Sequence, residues 1–266
     1  MFVPASYIHT TPHIDNFHRE REDDPGTIMF DMHVHSTYSN DSIIDIRTIV
    51  GSWKKTGILP LVCDHDSITG SEKVYSEIRR TDPDIPLTLA EEILTADGEI
   101  IGAFLNEEIA PGLSAEETLD LIEEQGAISI VPHPFCTFRS TAIDNGALNR
   151  IAERIDIIEG YNARTPDAGE NRMGQVFAGR FGKPVSVGSD AHTPVELATN
   201  YIRIYPFSTP AELFRSLPGG TVHFSPAPQE VHEFTIMFKK LRRECGIAGL
   251  QGNIETLLQN AGILYP

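Results

Sequence analysis

Between residues 28 and 205 short apolar runs alternate with amphipathic stretches, and this alternation limits the fold more than any other feature of the sequence. Strand-like runs fall at 28–33, 59–63, 87–93, 99–105, 127–131, 155–161, 184–187 and 201–205. Helical periodicity fills 45–56, 69–80, 114–125, 168–181 and 209–217. Two helix starts are marked chemically: Ser114 with Glu117 three residues on predicts a capping box, and Thr209 before Pro210 predicts a cap with proline in the first turn. Alternation of this kind predicts an α/β fold with a mainly parallel sheet or barrel. The exception is Ala96-Asp97-Gly98, which separates two strand-like runs directly and predicts a hairpin.

Where the strand-like runs end, histidines and carboxylates collect. Side chains two apart on a strand share a face, so His33 and His35 project together, and Asp41 follows in a loop of Ser, Thr and Asn. The same character returns in Asp64-His65-Asp66, Glu91-Glu92, His133 between Pro132 and Pro134, Glu159 to Asn162, and Asp190-Ala191-His192. Any one of these histidines reads as an ordinary structural residue. In a parallel barrel, however, the carboxyl ends of the strands share one mouth, and five of the ten histidines sit at such ends beside carboxylates. Imidazole and carboxylate together, without thiolate, predict a divalent-metal cup suited to Mn, Fe, Zn or Mg. In the segment around His65 the imidazole is the expected ligand, with Asp64 or Asp66 orienting it.

Composition narrows the rest. A formal net charge of −17 and no basic stripe argue against a partner of long nucleic acid. Cys63, Cys136 and Cys245 are odd in number and widely spaced, which predicts neither a disulfide framework nor a thiolate metal site. With no long apolar run near the start or later, no membrane partner and a cytoplasmic location are expected. Residues 1–26 read as a polar extension whose His9, His13 and His18 are solvated. The stretch 27–218 reads as the catalytic barrel, and 219–266 as a helical segment packed on it, with helices at 229–244 and 253–261. Lys239, Lys240, Arg242 and Arg243 then fall in the last turns of the first of these helices, where cations suit the dipole.

His33-x-His35 with Asp41, Asp64-His65, Glu92, His133 and Asp190-x-His192, in this order, resemble the motif set of the PHP (polymerase and histidinol phosphatase) superfamily of metal-dependent phosphoesterases over residues 28–206. The resemblance implies a distorted (β/α)7 barrel with two or three divalent ions in its mouth. By position it implies His33, His35, Glu92 and Asp190 around one ion, Glu92 bridging to a second held by His133, and Asp41, His65 and His192 around a third. Glu92 is preferred to Glu91 because the family glutamate precedes a β-branched residue, here Ile93. A further ligand of the second ion falls to Asn162, the one candidate.

The expected chemistry is hydrolysis of a small phosphate monoester, a nucleotide such as a nucleoside 3′,5′-bisphosphate, by a hydroxide bridging two ions. Leaving-group protonation would fall to Asp66 or His192, and Arg139 and Arg164, just past strand ends, would clamp the phosphate of the small phosphorylated substrate. Alternatives are an exonuclease on short oligonucleotides, a histidinol-phosphate phosphatase, and a non-catalytic metal-binding domain acting through its basic helix.

Overall fold

The computed structural model describes residues 26–250, with side chains through Arg243; the polar extension, Cys245 and the helix expected at 253–261 fall outside those described residues and side chains. Seven strands lie side by side in chain order: β1 (Ile28–Val34), β2 (Ile58–His65), β3 (Ala90–Thr95), β4 (Gly98–Ala103), β5 (Ile128–Val131), β6 (Ile157–Asn162) and β7 (Val185–Gly188). Neighbours are parallel except β4, which runs against both β3 and β5. The circle closes just past β7, where Val34 bridges Ala191 in parallel, the His35 N–H donates to the Ala191 carbonyl (3.0 Å) and the Asp190 N–H to the His33 carbonyl (2.7 Å). The fold is therefore the α/β class expected, a near-closed barrel of the distorted (β/α)7 kind. Two short strands, β8 (Tyr201–Ile204) and β9 (Thr221–His223), leave the circle as a ribbon, with β8 antiparallel to the first residues of β1.

Among the described residues the α-helices are α1 (Ile46–Thr56), α2 (Thr69–Thr81), α3 (Ala115–Glu124), α4 (Asn145–Ile151), α5 (Ala168–Arg180), α6 (Pro210–Ser216) and α7 (Gln229–Leu250). The Ser114–Glu117 capping box is present, and Thr209 caps α6 by accepting from the Glu212 N–H. Asp45 caps α1, which ends on Gly57 at φ 73°, a conformation costly for any residue with a Cβ. Phe30, Met32 and Val34 pack in one cluster with Ile49 of α1 and Val74, Tyr75 and Ile78 of α2, which holds the first two strands and helices together.

Some boundaries differ from the sequence expectation. β3 starts at Ala90 rather than 87 because its ladder with β2 begins at Cys63–Ala90, and Leu87 is left exposed; it runs on to Thr95 because the hairpin to Gly98 prolongs the pairing. The α4 helix, two turns capped by Asp144, and the three-residue β9 are too short to leave a period in the sequence. α7 runs past residue 244 to Leu250, so Lys239 and Arg242 lie mid-helix and do not compensate its dipole. Among the described residues no helix is long and apolar enough to cross a membrane.

Candidate metal centre

β1 delivers His33 and His35 to the mouth with their Nε2 atoms 3.0 Å apart. Each ring is fixed through its other nitrogen: His33 Nδ1 lies 3.1 Å from Glu159 Oε1, and His35 Nδ1 lies 3.0 Å from Ser39 Oγ. Ser39 Oγ spends its own proton on Asp64 Oδ1 (2.7 Å), so it accepts from His35. Both imidazoles thus carry the proton on Nδ1 and turn an Nε2 lone pair toward the same point. Two lone pairs this close repel each other unless a cation lies between them, and 3.0 Å is near the nitrogen separation expected for two bonds of about 2.1 Å to one ion.

Carboxylates surround that point. Glu92 is fully buried, with Oε1 3.1 Å from His133 Nε2 and 3.6 Å from His33 Nε2, and Oε2 3.1 Å from His65 Nδ1 and 3.4 Å from His35 Nε2. Asp190 Oδ1 lies 3.6 Å and 3.4 Å from the Nε2 atoms of His33 and His35. Asp41 spans His192 (Oδ1, 3.4 Å) and His65 (Oδ2, 3.5 Å). Four overlapping groups have potential ligand atoms within 4.8 Å of one another: His35, His65 and His192; His33, Glu92 and His133; His33, His35 and Asp190; and His65, Glu92 and Glu99. Asp41 Oδ1, Asp190 Oδ1, Glu92 Oε2 and Glu99 Oε2 are buried without a hydrogen-bond partner among the described residues. Orphaned buried acceptors are costly, and several converging on imidazoles fit divalent ions.

Electrostatics favour the neutral ring at two of these histidines. Burial pushes His35 down to about 4, and burial together with Arg164 pushes His192 down to about 4, which leaves both rings in the neutral form that ligates. Burial opposes charge on Asp190, but the Arg139 guanidinium beside it outweighs burial and holds the carboxyl well below the usual range. His133 and Asp190 sit at φ 31° and 53°, a strained backbone at the turns that aim them into the mouth.

The remaining expected residues fall differently. Asn162 donates its amide nitrogen to Glu159 Oε2 (2.9 Å) and Asp190 Oδ2 (3.0 Å), while its oxygen accepts the Arg164 N–H, so the amide nitrogen clamps two carboxylates and the oxygen is turned toward the backbone. Asp66, at φ 51°, accepts from the Leu94 N–H and faces Glu91, away from the cup, which removes it as a leaving-group acid. Asp64 holds the N–H and hydroxyl groups of Ser36 and Ser39; neither it nor Asp66 orients His65, whose ring faces Glu92 and Asp41. His192 has both nitrogens engaged, Nδ1 on the Asp190 carbonyl (2.7 Å) and Nε2 facing Asp41. Arg139 pairs with Asp190 Oδ2, and the buried Arg164 reaches Thr235 Oγ1 (2.9 Å) and Glu196 (3.4 Å). Both line a cavity of about 310 Å³ above the cup, with Phe138, His232 and Lys239.

Glu99 and the roof from α7 escaped the sequence, as did the way in which Glu159 and Asn162 come to share a face. Glu99 is the second residue of β4, and because that strand is reversed its beginning reaches the mouth, with Glu99 3.7 Å from His133 and 3.8 Å from His65. Glu159 and Asn162, three apart, share a face because the β6–β7 register slips between Glu159 and Tyr161. Lys239 of α7 lies 3.0 Å from Asp41 Oδ2, and Arg242 donates to the Ser39 carbonyl, so the basic cluster roofs the site.

Fold and centre together define a metal-dependent hydrolase on an α/β barrel. The PHP-associated family matches residues 168–222. The uncharacterized protein MJ0417 of Methanocaldococcus jannaschii is 33% identical over 178 residues, which cover 65% of this chain and 69% of that protein. A two-domain Bacteroides vulgatus protein containing a predicted PHP-like metal-dependent phosphoesterase superposes with a TM-score of 0.60 at 15% identity, covering 80% of this chain and 70% of its own. Endonuclease Q, bound to a 27-mer duplex with an abasic lesion, gives 0.53 at 19% identity over 73% of this chain and 57% of its own; the Pyrococcus furiosus enzyme gives 0.50 at 17% over 74% and 57%. This chain belongs to the PHP superfamily of metal-dependent phosphoesterases.

Proposed function

We propose that this protein hydrolyses a small phosphate monoester, a nucleotide of the nucleoside 3′,5′-bisphosphate kind. The observation that carries the reading is the cavity itself: about 310 Å³, floored by His65, Asp41 and His192, and walled by the Arg139 and Arg164 guanidinium groups and the Lys239 ammonium. That volume suits one nucleotide, at the small end of ligand sites. Cations on two sides of a metal cup favour a dianion over a neutral amide or ester. Divalent ions held in the cup would supply a water acidic near neutral pH and would neutralise charge growing on the phosphoryl oxygens. The chain's own part is positional. His33, His35, Glu92, His133 and Asp190 form the first pair of sites, Asp41, His65 and His192 the third, and Glu159 fixes the His33 ring. Arg139, already charge-paired with Asp190, turns toward substrate oxygens, and Phe138 offers an exposed ring to a base.

The likeness to endonuclease Q, whose active site holds a lesion in DNA, favours a second reading in which the ester is a phosphodiester at the end of a short oligonucleotide. Protein loaded with Mn, then with Fe, Zn or Mg, is to be assayed for phosphate release from nucleoside bisphosphates, mononucleotides, sugar phosphates and histidinol phosphate. Release from the bisphosphate, lost together with bound metal in H33A/H35A, is expected. No release from any of them sinks the monoesterase reading, and an H33A/H35A protein that still serves its cell would point to the non-catalytic one.

A further inference from the structure

A second charged surface lies outside the metal cup. α1 and α2 together carry six Lys or Arg against two glutamates, in a chain of net charge −17. Between them runs a groove of about 1010 Å³ lined by Tyr38, Arg47, Lys54, Lys73 and Arg80, with Glu72 and Glu77. Arg80 is consumed by Glu77. Arg47, Lys54 and Lys73 are exposed and have no acidic partner among the described residues. Cations left unpaired along one cleft of an acidic protein concentrate anions there.

The groove and the site border the same loop, which sends Tyr38 to the one and Asp41 to the other. Tyr38 belongs to the loop whose Asp41 holds Lys239 and whose Ser39 carbonyl holds Arg242. The Lys73 ammonium stands 5.0 Å from the centre of the Tyr38 ring, which is 40% exposed. On one side of that loop stand Arg139, Arg164 and Lys239 with the open ring of Phe138, and on the other Lys73, Arg47 and Lys54 with the open ring of Tyr38. Alternating cations and rings match the repeating phosphate and base of a single strand. An acidic peptide or a polyphosphate would use the cations and leave the rings idle.

We infer that the α1–α2 groove is a binding track for a short single-stranded oligonucleotide whose end lies in the metal cup. The inference deepens the proposed function, on which it rests in taking the cup as the place where a phosphate ester is cut. Binding of a labelled phosphorothioate hexanucleotide, which keeps the charge and resists cleavage, is to be followed by fluorescence anisotropy with the metal-loaded protein. R47E/K54E alters two exposed helix positions remote from the cup, so phosphate release from a mononucleotide should stay at the wild-type rate. Affinity for the hexanucleotide should fall at least ~10-fold, and the slope of log K against log salt should drop by about 1.4, at ~0.7 per lost phosphate contact. Y38A should weaken binding of the hexanucleotide but not of inorganic polyphosphate. Unchanged affinity and salt slope in R47E/K54E overturn the track, as does a Y38A loss equal for both polyanions. If wild-type protein binds the hexanucleotide in this way yet releases phosphate from nothing, the track stands and the proposed function falls.

Discussion

Glu159→Gln removes a charge but almost no volume from the buried carboxylate behind His33, and the hydrogen bonds around it set the consequence. Glu159 accepts three: from His33 Nδ1 (3.1 Å), from the His133 N–H (2.7 Å) and from Asn162 Nδ2 (2.9 Å). Glutamine has one oxygen. If that oxygen stays with His133 and Asn162, the NH2 group faces His33 Nδ1 and drives the ring proton to Nε2, the atom that must ligate. If the amide flips, its NH2 opposes two buried donors, at a cost of about 1–3 kcal/mol for each one left unsatisfied. Loss of such an outer partner lowers metal affinity ~10–100-fold, or about 1.4–2.7 kcal/mol. Calorimetric titration of Mn into stripped protein reads this directly, with circular dichroism to confirm the fold. A folded Glu159→Gln protein that binds Mn within twofold of wild type refutes the tautomer reasoning.

Three further outcomes follow from other parts of the structure. In Gly188→Ala the new Cβ would stand 2.3 Å from Glu159 Oε1 and 2.4 Å from His33 Cβ, so thermal stability should fall by ~1–3 kcal/mol and metal uptake with it; a wild-type melting curve contradicts this. Phe234→Ala opens the cluster of Ile43, Val231, Phe234 and Phe238 that seats α7, at a cost of ~3–5 kcal/mol, and should hasten proteolysis within α7; an unchanged cleavage rate counts against the seating. His232 is held near pKa 4, below its ordinary 6.5, by burial first and then by Arg164, Arg139 and His192 against Asp190. A depressed folded pKa means that its contribution to stability is full above pH 6.5 and lost as pH falls toward 4, so His232→Gln should flatten the fall of Tm in that window; identical slopes in both proteins exclude the effect.

The barrel was legible because strand and helix periods differ, and because most turns between them carry Gly, Pro or a capping residue. The cup was legible because parallel strands end at one mouth, which gives His33, His65, His133 and His192 a common address despite their separation. Glu99 was not, since it lies at the start of a strand, and the reversal of β4 that brings it to the mouth follows from pairing rather than from its neighbours in sequence. Glu159 stood among the strand-end residues, but its place behind His33 depends on the register slip that breaks the two-residue period of β6, and residue type does not say which end of the Asn162 amide will face a carboxylate. The roof was illegible for a different reason: no local pattern announces that Lys239 will meet Asp41.

That pairing spans 198 residues, so at ~5–20 residues per second of synthesis Asp41 leaves the ribosome about 10–40 s before its partner. The His35–Ala191 bond that closes the barrel spans most of the same interval. For that time the first histidines and Glu92 stand on an unfinished arc of strands, and the cup gains its roof only once α7 has been made.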